Sequence, residues 1–231
     1  FVDVVKECGY HYIPLKFMER PISIKDTLAL AELYSLIKRY HFDIVHTNSS
    51  KPGFLGRLAA SFCHTPLILH TEHATSFQMD QPVWQQNLYM RLEKWANRLC
   101  DYVVFVNNTD RIKCLDLGLV SPSKALTINN AIPYEKVEQL EKIAQERKLV
   151  SDKKDFVIGS IIRFSPAKNV INLISAACQV CKKEAKLKFI ILGKGEYLRL
   201  CRQIVHSYNL DERIVLPGFD INIEKWLALF D

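Results

Sequence analysis

No apolar run in the sequence approaches the ~18 residues that a bilayer-spanning helix requires, so the chain is not expected to be integral to a membrane. No secretory signal peptide is visible at its start either, and the expected compartment is cytoplasmic. Seven cysteines show no regular spacing and mostly fall inside apolar helical or strand patterns, which predicts reduced thiols in place of a disulfide framework. Cys178 and Cys181 form a CxxC, but it lies within a predicted helix and has no second pair, so the pattern of a zinc or redox site is absent. There is no Walker A sequence, no HExxH helix, no short repeat and no low-complexity tract, which removes kinase-type nucleotide hydrolysis, zinc proteolysis and solenoid architectures.

What is present is a globular composition. Of 231 residues, 48% are hydrophobic and 24% charged, enough for a core in one large or two smaller α/β domains. A net charge of +6 and a pI near 8.9 suit an anionic small molecule, an anionic membrane surface or, less specifically, nucleic acid. The chain opens at Phe1 and closes at Asp231 directly after an apolar segment, and both ends are expected to be cuts within a longer protein.

Along the chain, apolar and β-branched runs alternate with helical patterns. A helix end over residues 1–8 stops at Gly9, and residues 10–14 read as a short strand. Helices are predicted over 25–40, 54–62, 83–99 and 109–117, and strands near 43–46, 67–70, 101–106 and 125–128. In the third of these helices Trp84, Leu88, Leu92 and Trp95 form the stripe available for packing. Residues 133–155 change character, rich in Glu, Lys and Gln, and the domain boundary is placed there. Beyond it the rhythm restarts with strand 156–162, helix 169–183, strand 187–192, helix 196–208, strand 213–216 and helix 221–230. Two doubly wound halves are predicted, over residues 1–150 and 151–231.

The charged turns follow the strands. Arg163 and Lys168 flank a turn containing Pro166 at the end of strand 156–162. Such a pair can hold a diphosphate, arginine as a planar fork and lysine as a mobile point charge, or can be two solvated surface cations. Gly193-Lys194-Gly195 lets backbone approach a ligand where a helix begins, but Leu198 occupies the third glycine position of a GxGxxG, so a nicotinamide enzyme is disfavoured. Glu196 is suited either to capping that helix or to accepting hydrogen bonds from ribose hydroxyls. In the first half, Ser49, Ser50 and Lys51 ahead of Gly53 form another anion-tolerant turn, and His46, His70 and His73 gather at two neighbouring strand ends. The polar loop 71–77 has no evident structural purpose and invites function.

In combination, the stretch from Asp43 to Ala60, Thr71-Glu72-His73, Ile158 to Arg163 with Lys168, and Ile191 to Glu196 resemble the family 4 retaining glycosyltransferases of the GT-B fold. The resemblance implies two Rossmann-like doubly wound domains, both incomplete here, with an acceptor-side domain first and a nucleotide-sugar domain second. It implies that Arg163 and Lys168 bind the donor diphosphate and stabilise it as it leaves, that His73 contacts the donor sugar near the reacting carbon, and that Gly193, Gly195 and Glu196 lie beside the nucleotide. Ser49, Ser50, Lys51 and Gly53 would form the acceptor-side loop. Asn48 stands where the family often has histidine, and Ala74 where it often has glycine. The opening strand with its glycine loop and the later paired-glutamate segment are lacking, so the fragment alone is expected to be inactive. The implied activity is sugar transfer from a nucleotide sugar, a UDP-sugar by expectation, to a polysaccharide or lipid-linked glycan. No metal or other cofactor, no nucleic acid partner and at most peripheral contact with an anionic membrane are expected. A UDP-sugar epimerase of the same fold and a non-catalytic nucleotide-sugar-binding module are the alternatives.

Overall fold

A computed structural model describes residues 2–19, 21–73, 82–150 and 155–231. Residues 74–77 of the polar loop and 151–154 of the expected boundary segment lie outside the described residues. The chain separates into two compact units, Phe1–Ala131 and Ile132–Asp231.

The first unit opens with α1 (Val2–Glu7), which stops at Gly9, where φ of +78° suits glycine. The strand expected over residues 10–14 does not form. Among the described residues no strand lies beside it to share a hydrogen-bond ladder, and Tyr10, Tyr12 and Ile13 stay exposed. There follow α2 (Lys25–Tyr40), β1 (Ile44–Asn48), α3 (Ser50–Phe62), β2 (Leu67–Glu72), α4 (Val83–Ala96), β3 (Tyr102–Phe105), α5 (Asn108–Asp116) and β4 (Ala125–Thr127). The four strands are parallel in the order β1-β2-β3-β4. Their core joins Ile37 of α2, Ala59 and Ala60 of α3, Ile68, Val103 and Phe105 of the sheet and Cys114 of α5.

Two details position the site. Helix α3 starts at Ser50, earlier than the expected 54, with Pro52 tolerated in the first turn, where an amide has no helical partner. A Cβ on Gly53 would stand 2.5 Å from Cε1 of His70, and one on Gly56 2.7 Å from Cγ2 of Thr47, so these glycines let α3 lie directly on β1 and β2. In α4 the expected packing stripe faces out: Trp84 is 65% exposed, and Leu88, Leu92 and Trp95 are exposed as well. The buried residues of α4 are Glu93 and Ala96, because the inward face carries a carboxylate that a buried cation of α3 requires.

The second unit comprises α6 (Tyr134–Val150), β5 (Phe156–Ile161), α7 (Val170–Lys183), β6 (Leu187–Leu192), α8 (Leu198–Ser207), β7 (Ile214–Gly218) and α9 (Glu224–Leu227). Its strands are parallel in the order β5-β6-β7. Alternation along β6 divides the core: Phe189 and Ile191 join Ile174, Cys178, Cys201 and Val205, whereas Ile190 and Leu192 join Val157, Trp226 and Phe230. The helix expected over 221–230 is a single turn. Asp220 organises its start, accepting from the Asn222 amide and Trp226 Nε1 and pairing with Lys225, and these bonds hold its carboxyl below the usual range. All seven cysteines are free thiols, as expected. Burial pushes five of them up, Cys114 to about 12 beside Glu72 and Asp110, so these five are inert packing groups at neutral pH.

The Phe230 ring lies against β5 where Gly159 offers no side chain; a Cβ there would fall 2.0 Å from ring carbons. Gly159→Ala is therefore expected to displace the ring and destabilise the second unit by about 1–3 kcal/mol, the usual cost of overpacking. Hydrogen exchange of the β5 and β6 amides in the full-length protein measures this, and unchanged protection would refute it.

Candidate functional site

In the second unit, the carboxyl ends of β5 and β6 are joined by backbone bonds that run past the strands. The Ile162 amide donates to Leu192 O (2.9 Å), the Phe164 amide to Lys194 O (3.1 Å) and the Tyr197 amide to Phe164 O (3.0 Å). Arg163 is thus fixed between two residues bonded to the glycine turn. Gly193 and Gly195 have φ of +142° and +156°, and a Cβ would meet Ile162 O at 1.8 Å or Phe164 O at 2.2 Å, so only glycine permits the approach. Phe164 is fully buried beneath the turn. Lys168 closes the 3-10 turn Pro166–Lys168, just before the uncapped start of α7.

Arg163, Lys168 and Glu196 are exposed, and among the described residues none has an ion-pair or side-chain hydrogen-bond partner. Of the two sequence readings of Glu196, the capping bond is not made among the described residues: Tyr197 is the N-cap of α8 and there is no side-chain cap. Sequence reasoning passed over Phe219. This aromatic is 65% exposed just beyond β7, with Nζ of Lys194 4.7 Å from its ring centroid. The Gly193 amide donates to Gly218 O, which ties all three strand exits together at 2.9 Å.

In the first unit the strand register builds a polar ladder at the same kind of edge. Thr47 pairs with His70 and Asn48 with Thr71. Across these pairs His46 Nε2 bonds Thr71 Oγ1 (2.7 Å), Thr47 Oγ1 bonds His70 Nδ1 (2.9 Å) and His73 Nε2 bonds Asn48 Oδ1 (3.0 Å). Ser49 takes φ of +67° and ψ of 164°, a conformation nearly confined to glycine, as the chain turns from β1 into α3. Ser50 and Gly53 belong to α3, where Gly53 admits the His70 ring. The Lys51 ammonium is engaged inside the protein, by Asp26 and by the carbonyls of Glu19 and Pro21. Burial opposes the charge of Asp26, but the Lys51 and Ser23 bonds prevail and its carboxyl is lowered.

Beneath the ladder lies a buried network that sequence reasoning missed apart from His70. Arg57 is 0% exposed; its Nε donates to Gly53 O (3.0 Å), and its Nη1 donates to Asn97 Oδ1 (2.5 Å) and lies 2.8 Å from Glu93 Oε1. His70, also 0% exposed, has Nε2 3.2 Å from Glu72 Oε2 and 3.8 Å from Glu93 Oε1. The available signal was one arginine in the small, apolar helix sequence 54–60. His70, Glu72 and Glu93 have the donors of a cation site. The Arg57 guanidinium already supplies the positive charge there, so the residues fit a metal ion poorly.

Hydrogen-bond accounting sets the proton positions. Thr47 Oγ1 donates to Leu69 O (3.2 Å) and so accepts from His70 Nδ1–H. The bare Nε2 then needs a donor, which a protonated Glu72 supplies. Burial, with Arg57 beside it, lowers His70 to about 4, and burial raises Glu72 to about 7, so between those two values the pair is neutral on both sides.

The profile of Glycosyltransferase Family 4 matches residues 5–136, and that of Glycosyl transferases group 1 matches residues 141–229. A UDP-Gal:alpha-D-GlcNAc-diphosphoundecaprenol alpha-1,3-galactosyltransferase of Escherichia coli is 31% identical over 216 residues, covering 90% of this chain and 55% of the relative. An N-acetylgalactosamine-N,N'-diacetylbacillosaminyl-diphospho-undecaprenol 4-alpha-N-acetylgalactosaminyltransferase of Campylobacter jejuni is 34% identical, covering 97% and 60%. The chain thus spans little more than half the length of these relatives. Among solved structures, Anabaena HepE in complex with UDP and glucose superposes with a TM-score of 0.71 at 18% identity, covering 100% of this chain and 62% of that one. A UDP-GlcNAc 2-epimerase of Methanocaldococcus jannaschii reaches 0.59 at 15% identity, covering 98% and 65%. Both share the fold of two Rossmann-like domains expected from the sequence.

Because folding moves one proton from His70 to Glu72, the pair binds the same number of protons folded and unfolded between pH ~4.5 and ~6.5 and adds no slope to stability there. His70→Gln leaves Glu72, protonated when folded and ionised when unfolded, so stability should fall as pH rises from ~4.5 to about 7. Glu72→Gln leaves His70, neutral when folded and charged when unfolded, so stability should rise from pH about 4 to ~6.5. Each slope should reach about 1.4 kcal/mol per pH unit by urea unfolding. Slopes of the same sign in both variants would refute the neutral pair.

Proposed function

The chain belongs to glycosyltransferase family 4, and from that premise we propose that its protein moves a sugar from a UDP-sugar to a lipid-linked or polysaccharide glycan, with retention at the anomeric carbon. One observation carries the reading: Arg163 is held between two residues bonded to the glycine turn at the end of β5, and neither it nor Lys168, in the short turn that follows, has an ion-pair partner among the described residues. That edge presents positive charge and close backbone, with Glu196 of the glycine turn as an exposed carboxylate that pairs with neither cation among the described residues. The relatives of known activity named above act on undecaprenyl-diphosphate-linked sugars, and HepE binds UDP, which supports both the donor and the acceptor class.

In this reading Arg163 and Lys168 grip the diphosphate and take up the negative charge that grows on it as the glycosidic bond breaks, a task otherwise left to a metal ion. Their stabilisation rises with that charge, so it acts on the transition state more than on the bound donor. Glu196, free of a capping role, accepts hydrogen bonds from the ribose, and Phe219 offers a face for the base, an arrangement worth roughly 1–3 kcal/mol in base–aromatic stacking. His73 contacts the sugar. On α4, the exposed Trp84, Leu88 and Trp95 with Arg91 and Lys94, and Arg98 just past its end, suit peripheral contact with an anionic membrane carrying the acceptor.

Arg163→Ala and Lys168→Ala, in the full-length protein, are each expected to lower kcat roughly 100- to 1000-fold while the donor KM rises much less. Initial rates with radiolabelled UDP-sugars and a polyprenyl-diphosphate-linked acceptor measure this, and EDTA should leave the wild-type rate unchanged. A donor KM that rises with kcat intact would remove the cations from the chemical step. Epimerised nucleotide sugar as the product would replace the transfer reading.

A further inference from the structure

We infer that Asn48 is a positioning residue for His73, fixing its ring and its tautomer so that Nδ1 alone is offered to the sugar. The inference rests on the transferase reading for its kinetic consequence, but its structural half is independent of activity. Asn48 is the last residue of β1, and its pairing with Thr71 places its carboxamide beside a residue 25 positions along the chain. Nε2 of His73 lies 3.0 Å from Asn48 Oδ1. A carboxamide oxygen has lone pairs and no proton, so Nε2 must carry the hydrogen. A neutral imidazole bears one N–H, which leaves Nδ1 as a bare acceptor.

The supports of Asn48 are rigid. On one side the sheet holds its backbone, and on the other the chain turns through the strained conformation of Ser49, which is pinned by the Gly53 amide donating to Ser49 O at 3.0 Å. His73 is exposed and immediately follows the end of β2, where Glu72 is buried against His70. Its ring is held from the side by Asn48. Among the described residues, the Asn48 oxygen is the hydrogen-bond partner of the His73 ring. An uncharged partner orients the ring without the electrostatic pull of a carboxylate, and an ordered acceptor at Nδ1 selects a donor sugar by one of its hydroxyl protons.

The test uses the full-length protein with 15N-labelled histidine, the His73 ring being assigned by its loss in His73→Gln. Long-range 1H–15N spectra of the wild type at pH 8 should show His73 in the Nε2–H form. Asn48→Leu keeps the shape and removes the acceptor, so the ring should revert to a mixture of tautomers, with kcat falling about 10-fold and donor KM changing less than about 2-fold. Asn48→Asp restores an acceptor oxygen and should restore the Nε2–H form. A wild-type Nδ1–H tautomer, or a His73 signal indifferent to Asn48→Leu, would overturn the inference. If no nucleotide sugar is turned over by the wild type, the transferase reading fails while the tautomer result still decides the positioning role. If the leucine variant loses its fold by circular dichroism, the wild-type tautomer and the aspartate variant decide it.

Discussion

Parallel pairing makes every strand of a sheet leave at one edge, and the rest of this structure is arranged around what gathers there. In the first unit that edge collects His46, Thr47, Asn48, His70, Thr71 and His73 from two strands in register. In the second it collects Arg163, Gly193 and Gly218 from three. Neither group is contiguous in sequence. Each is made so by a ladder whose spacing leaves no freedom to place the exits elsewhere.

The two edges meet their electrostatic problems in opposite ways. In the first unit a fully buried guanidinium must be surrounded by acceptors, since an unpaired buried cation costs several kcal/mol. Arg57 therefore draws Glu93 and Asn97 inward, which turns the aromatic stripe of α4 outward. Burial and that same charge disfavour protonation of His70, whereas burial raises Glu72 against the pull of Arg57. In the second unit Arg163 and Lys168 are left exposed, without an ion-pair partner among the described residues, and the backbone is packed tightly beside Arg163. The glycine turn lies against Ile162 and Phe164 so closely that no Cβ fits. A rigid backbone with solvated cations suits a ligand that brings its own negative charge.

A strained Ser49 and two glycines in the first turns of α3 have one common effect. They bring a helix down onto the ends of β1 and β2, so that Thr47 and His70 touch it while Asn48 and His73 bond above. Glycine at position 53 is thus explained by packing against His70, and Lys51 by its tie to Asp26. Both belonged to a turn that, on the sequence, looked suited to an anion.

The sequence by itself determined the period of the elements, the parallel α/β class and the second-unit turns, because β-branched runs ending in Arg163 or in Gly193-Lys194-Gly195 carry their local geometry with them. It also determined the free thiols, whose irregular spacing within apolar patterns offered no disulfide framework. It misplaced the strand at 10–14, where propensity existed without a neighbour, and the buried face of α4, where apolar periodicity pointed outward. Only the tertiary structure decided the Arg57 network, the neutral His70 and Glu72 pair and the bond from His73 to Asn48. Burial of a charge and the pairing of distant polar groups depend on which residues the fold makes neighbours, and no local pattern in the chain records that.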